Sequence, residues 1–243
     1  MKPILLSLFI LSAVSVYSQT NFEEDVINTQ GGKLTITFIG HATLMLTYNN
    51  LVIHIDPWTR LADYTKMPKA DLVLVTHEHG DHLDAKAIEQ ISKKGTVLIY
   101  TQKCKEAKGS PAGTVLKNGE KTMFHDILIE AVPAYNLEHK RPDGNPFHPK
   151  GEGNGYILTI GGTRIYIAGD TENTPEMKAL KNIVIAFLPM NLPYTMTPEM
   201  VADAAKAFKP KILYPYHFGE TDVTRITELL KNSGIEVRIR KMK

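Results

Sequence analysis

Residues 34–39, Leu-Thr-Ile-Thr-Phe-Ile, alternate apolar and polar positions and stop at Gly40-His41. That period of two predicts a strand with one buried face. A second strand is expected over 42–48, turning at Asn49-Asn50 into a third over 51–55. Residues 71–75 are almost continuously apolar, the pattern of a strand covered on both faces. Further strands are expected over 96–101, 127–132, 156–160, 163–168, 183–188, 212–216 and 235–240. Gly161-Gly162 makes the turn between two of them. Helical spacing runs through 84–92, 197–208 and 223–232, and the second of these opens on Thr197-Pro198-Glu199, a helix-entry signal. Residues 21–32 read as a polar entry segment. Residues 135–153, rich in Pro, Gly and His, read as a long loop, and loops of that length inside a domain are functional or mobile. Strands in runs with a few helices between them, no repeat and no linker, predict one layered α/β domain.

The N-terminus departs from this pattern. Met1-Lys2-Pro3 precedes an apolar stretch over 4–16 and a small-residue end at Ser18. Residues 1–18 are therefore expected to be a secretory signal peptide, leaving a mature domain of 19–243. An uncleaved anchor is the alternative, but the apolar stretch is shorter than the ~20 residues that a span requires. No stable membrane anchor is expected after cleavage, and no Cys follows the leader to carry a lipid. The expected location is periplasmic or secreted, in a bacterium. Length and composition, 243 residues with 43% apolar and 22% charged, fit an ordinary globular protein. The net charge of +2, with no basic patch, argues against a nucleic-acid partner. Cys104 is the single cysteine, so no intrachain disulfide forms, and it reads as a packed or partly exposed thiol.

The chemistry concentrates in Thr76-His77-Glu78-His79-Gly80-Asp81-His82, directly after the apolar strand. Three imidazoles and a carboxylate in six residues suit Zn²⁺ and similar divalent ions. If the backbone stays extended, His77 and His79 point the same way, and Gly80 is expected to permit a bend that brings Asp81 and His82 round. Gly40-His41-Ala42-Thr43, Ile55-Asp56-Pro57-Trp58, Ala168-Gly169-Asp170-Thr171 and Pro215-Tyr216-His217 stand in order around that segment. On these motifs the chain resembles the metallo-β-lactamase superfamily over residues 33–243. It is most similar to the branch of metal-dependent hydrolases that also holds ascorbate-6-phosphate lactonases and N-acylphosphatidylethanolamine phospholipases D.

The resemblance implies a four-layer αββα sandwich of two mixed sheets with ligands at strand ends along one edge. It implies that His77 and His79 bind a first metal, Asp81 and His82 a second, that Asp170 bridges them and that His217 completes the second site. Relatives commonly place a His just after the strand at 127–134, where this chain has Asn136. The remaining ligand of the first metal is then His148, with His139 as the alternative. Asp56 is expected to accept the free N–H of a ligand histidine. His41 is expected near the site, against substrate or a ligand carboxylate, or with a purely structural role. Asp81 is expected to orient the nucleophile or shuttle its proton, and the Tyr194 phenol to donate to substrate. His54 and His125 match nothing in the pattern and are expected to be structural.

The expected activity is binuclear hydrolysis of a small ester, lactone or phosphoester by metal-activated water, with two divalent ions. Zinc is the default, and Mn²⁺ or Fe²⁺ suits the same donors. A lipid-directed phosphodiesterase and a non-catalytic metal-binding protein are the alternatives. No arginine cluster or Gly-rich phosphate cradle is visible, so no anion preference is legible, and hydrolysis of β-lactams is not expected. Oligomeric state is not legible.

Overall fold

Antiparallel hairpins build the first part of each sheet and parallel crossovers the second. The computed structural model describes residues 22–243, and the expected signal peptide lies outside them. The first sheet opens as a meander of β1 (Glu23–Thr29), β2 (Gly32–Gly40), β3 (Thr43–Tyr48) and β4 (Leu51–Ile55). It continues in parallel through β5 (Leu72–Leu74), β6 (Val97–Tyr100) and β7 (Thr114–Val115). The second sheet follows the same plan. Its meander is β8 (Lys121–Phe124), β9 (Ile127–Ala134), β10 (Gly153–Ile160) and β11 (Thr163–Ile167). Its parallel strands are β12 (Ile185–Pro189), β13 (Ile212–Tyr216) and β14 (Glu236–Val237). Among the described residues the molecule is thus two seven-stranded mixed sheets of matching topology. The repeat is in the strand plan.

The strand pattern explains the layers. In β5, Leu72 and Leu74 enter the core shared by both sheets, while Val73 and the following Val75 pack under α1 (Ala85–Ile91) and α2 (Gln102–Glu106). Both faces of the strand are buried, as its continuous apolar run required. Each such side chain removed from water contributes about 1.5–3 kcal/mol. On the second sheet, α3 (Pro175–Lys178), α4 (Pro198–Phe208) and α5 (Thr224–Leu230) supply Met177, Val201, Ala205, Phe208, Ile226 and Leu230 to the core. Asp84 caps α1 by accepting from the Lys86 and Ala87 amides, and Thr197 caps α4. The result is the four-layer αββα sandwich.

Several boundaries differ from expectation. Residues 23–29 are not a polar entry segment but β1, an edge strand whose burial alternates and whose Asp25 faces Tyr214, Arg238 and Arg240. Charged side chains on an edge strand hide its period while protecting it from aberrant pairing. The short elements β7, β8, α2 and α3 carry no periodic signal, and the last strand shrinks to two residues. The long loop, residues 135–152, is tightly bonded within itself. Asn136 N donates to His148 O at 2.9 Å, and Arg141 N donates to Asn145 O at 2.7 Å.

Candidate metal centre

The loops after β2, β4, β5, β9, β11 and β13 meet at one edge of the sandwich, and each brings residues named by the motifs. His77, His79 and His148 form one group, with ligand atoms all within 4.8 Å of one another. His41, Asp81, His82 and His217 form a second. Asp170 lies between them, with its carboxylate oxygens 3.5 Å from His82 Nε2, 3.4 Å from His148 Nε2, 3.4 Å from His217 Nε2 and 4.0 Å from His77 Nε2. Ligand bonds of about 2.1 Å around a tetrahedral ion give edges of about 3.4 Å, so the spacing fits. His82 Nε2, His148 Nε2, His217 Nε2 and Asp170 Oδ1 are buried with no hydrogen-bond partner among the described residues. Leaving such a group unsatisfied costs about 1–3 kcal/mol, and cations held between them would satisfy all four. The residues present fit a pair of metal ions.

The surroundings fix the imidazoles. Asp56 Oδ2 accepts from His82 Nδ1 at 2.8 Å and from Thr76 Oγ1 at 2.7 Å. The Thr76 oxygen then has a lone pair for His77 Nδ1, 3.1 Å away. Both rings therefore carry their proton on Nδ1 and turn the Nε2 lone pair inward. Asn136 Oδ1 does the same for His148, accepting from Nδ1 at 2.7 Å and from its backbone N–H at 2.8 Å. His139 is not brought into the cluster: its Nδ1 lies 2.7 Å from Glu172 Oε1. Three non-glycine residues at these strand ends adopt left-handed backbone, His41 at φ 51°, Asp56 at φ 46° and His217 at φ 45°. Strained backbone of this kind collects where a site demands a side-chain direction. Gly169 has φ +66°, and a Cβ there would lie 2.7 Å from Asn154 O, so the turn before Asp170 needs glycine. Gly80 does not play the expected part. A Cβ there meets nothing, and the bend is a turn in which the His82 and Leu83 amides both donate to His79 O.

Burial and mutual repulsion hold His77 and His217 well below the ordinary histidine range. Burial, His79 and His82 push His148 down to about 3. His82 is the exception: burial lowers it, but Asp170 and Asp56 outweigh this and raise it to about 9. Burial pushes Asp170 up to about 6 against the pull of His82. Burial also opposes ionisation of Asp81, yet His41, His82 and His217 hold it well below the usual carboxylate range. Neutral His77, His148 and His217 around ionised carboxylates are a mixed N/O donor set that attracts divalent cations, and a cation would take the place of the His82 Nε2 proton.

Beside the cluster opens a cleft of about 500 Å³ lined by His41, Asp81, Arg141, Phe147, Asn191 and Tyr194. Tyr194 is 46% exposed and packs edge-on against Phe147, with ring centroids 5.1 Å apart. His41 Nε2 is 3.1 Å from Asp81 Oδ2, and its ring lies on that of His217 with centroids 3.7 Å apart. Trp58 packs behind His41, and Tyr135 reaches Glu176 instead of the cleft. Three residues at the site carried no sequence signal of their own: Arg141, Asn191 and Glu172. Glu172, two residues past Asp170, is fully buried and accepts from the amides of Leu137, Glu138 and His139 and from Asn136 Nδ2. His54 is buried away from the cluster and bonds Pro68 O, and Cys104 is a buried thiol pushed up to about 11 by burial.

Comparisons with known proteins agree with this architecture. The family model described as a β-lactamase superfamily domain matches residues 35–217. A UPF0173 metal-dependent hydrolase of Pelotomaculum thermopropionicum is 31% identical over 193 residues, covering 76% of this chain and 84% of that protein. One from Thermus thermophilus is 33% identical over 192 residues, covering 75% and 83%. A solved structure described as a metal-dependent hydrolase, from Parabacteroides distasonis, superposes with a TM-score of 0.86 at 53% identity, over 91% of this chain and all of that one. A metallo hydrolase of Ignicoccus hospitalis gives 0.71 at 26% identity, over 86% and 95%. Fold, family model and relatives agree, and the chain belongs to the metallo-β-lactamase superfamily as a metal-dependent hydrolase.

Proposed function

We propose that the chain hydrolyses a small ester, lactone or phosphoester and that it does so with two divalent ions, zinc by default. The observation that carries this reading is the pair of histidine-rich groups on either side of one buried carboxylate, Asp170, with four inward-facing atoms that lack partners. In this reading His77, His79 and His148 would hold one ion and Asp81, His82 and His217 the other, with Asp170 available to both. Ions held there would supply an acidic water near neutral pH and a Lewis acid for the substrate oxygen. The chain does the rest. As water attacks, Asp81, in the cleft wall, would take the released proton on Oδ1. His41, 3.1 Å from the other oxygen, Oδ2, holds that carboxylate in place. Tyr194 lines the cleft where its hydroxyl can donate to the substrate oxygen as charge develops. Export from the cytoplasm belongs to the same proposal, supported by the leader-like residues 1–18.

Metal content of the purified protein, measured by plasma mass spectrometry without chelator, tests it first. Two transition-metal ions per chain are expected. His79→Ala should retain fewer than two and lose activity while keeping its circular dichroism spectrum; full retention overturns the assignment. His148→Ala should lower occupancy and His139→Ala should not.

A further inference from the structure

We infer that the substrate carries an anionic group, a carboxylate or a phosphate, which pairs with Arg141 while a neighbouring apolar part lies against Phe147 and Tyr194. The inference rests on the hydrolase reading and names the substrate class for the same site. Arg141 lies in the wall of the cleft that also contains Asp81, His217 and Tyr194. One guanidinium N–H donates to Phe147 O at 3.2 Å, and the group sits over the Phe147 ring, 5.1 Å from its centroid. Among the described residues no carboxylate comes within 4.0 Å of it. The other cation close to this loop's end, Lys150, is paired with Glu176 at 2.7 Å. A guanidinium that keeps free donors beside a reaction cleft is a fork for a planar or tetrahedral oxyanion.

The loop holds that fork in place. Arg141 N donates to Asn145 O at 2.7 Å, Gly144 N donates back to Arg141 O at 2.9 Å, and Lys140 bridges to Pro146. Just upstream, the Leu137, Glu138 and His139 amides are tied to buried Glu172. The backbone is therefore set before substrate arrives, so the ordering left to oppose binding is that of the exposed Arg141 side chain. Charge balance points the same way. Two divalent ions would outweigh Asp81 and Asp170, the two acidic side chains of the cleft wall, and Arg141 adds to that positive field.

Three 4-nitrophenyl esters with one leaving group separate the possibilities: the acetate, the mono-succinate and the phosphonoacetate. In the metal-loaded wild type, kcat/KM for one or both anionic esters should exceed that for the acetate. Arg141→Gln should lower that preference about tenfold or more, chiefly through KM, and leave the acetate within about twofold. Arg141→Lys should recover part of it. Whichever anionic ester loses more identifies the carboxylate or the phosphate. Equal losses on all three esters, or none, overturn the role of Arg141. Calorimetric titration with succinate and inorganic phosphate gives a second readout, in which Arg141→Gln should weaken at least one anion about tenfold. If no ester is turned over by protein carrying both metals, the ester reading fails, and the titration still decides the anion site.

Discussion

Asn136 orients a ligand candidate: its side-chain oxygen accepts from both His148 Nδ1 and the His148 backbone N–H, which leaves His148 Nε2 facing the cluster. Asn136→Leu should therefore weaken metal binding about 10–100-fold with little loss of fold, read by competition with a chromogenic chelator. His54 makes a separate prediction. Burial pushes it down to about 4 from an ordinary value of 6.5, against the bond it makes to Pro68 O. Between those values the unfolded chain binds a proton that the folded chain refuses, so stability falls as pH drops through that window. Comparing urea midpoints of metal-free protein at pH 7 and pH 5, His54→Gln should lose about 2 kcal/mol less than wild type. An identical drop in both proteins would contradict this.

Among the elements, legibility followed periodicity. β2, β5 and α4 announce themselves through alternation, a short apolar run rich in Val and Leu, and a Thr-Pro-Glu entry. β1 was hidden because Glu23 and Asp25 are there for partners near the far end of the chain and Glu24 for Thr37 on β2, and β7 is too short to show a period. At the site, the ligand candidates other than His148 were readable because each follows a strand within a motif. Arg141 was not, because its position depends on how the 135–152 loop folds. That loop is ordered by Glu172, a buried carboxylate receiving three consecutive amides as a helix N-terminus would supply them. Glu172→Gln turns an amide group toward donors that need an acceptor. Amides 137–139 should then exchange hydrogen at least tenfold faster, and His148 should hold metal less well through Asn136. Unchanged exchange in those peptides would mean that the loop is held elsewhere.

At the scale of the molecule, Asp25 fastens the first sheet to the C-terminal end of the second. Its carboxylate accepts from Tyr214, from Arg238 at 3.2 Å and from Arg240 at 2.8 Å. Partial burial opposes ionisation, but the Tyr214 and Arg240 bonds outweigh it and hold Asp25 below its ordinary 3.8. The stabilisation is present above that value and lost as pH falls through the lower, folded one. Asp25→Asn should cost about 1–2 kcal/mol at pH 7, discounted for solvent reach, and the difference from wild type should shrink toward pH 3 in urea melts. The matching topology of the two sheets has a further consequence. Each of the two histidine-rich groups combines residues of the first half, His77 with His79 or His41 with Asp81 and His82, with one from the second, His148 or His217. Ions held by these residues would therefore act as rivets across the seam. A chain nicked between β7 and β8 should stay joined when loaded and come apart more readily in chelator. At a free metal concentration 100 times Kd, each rivet adds about 2.7 kcal/mol to the joint.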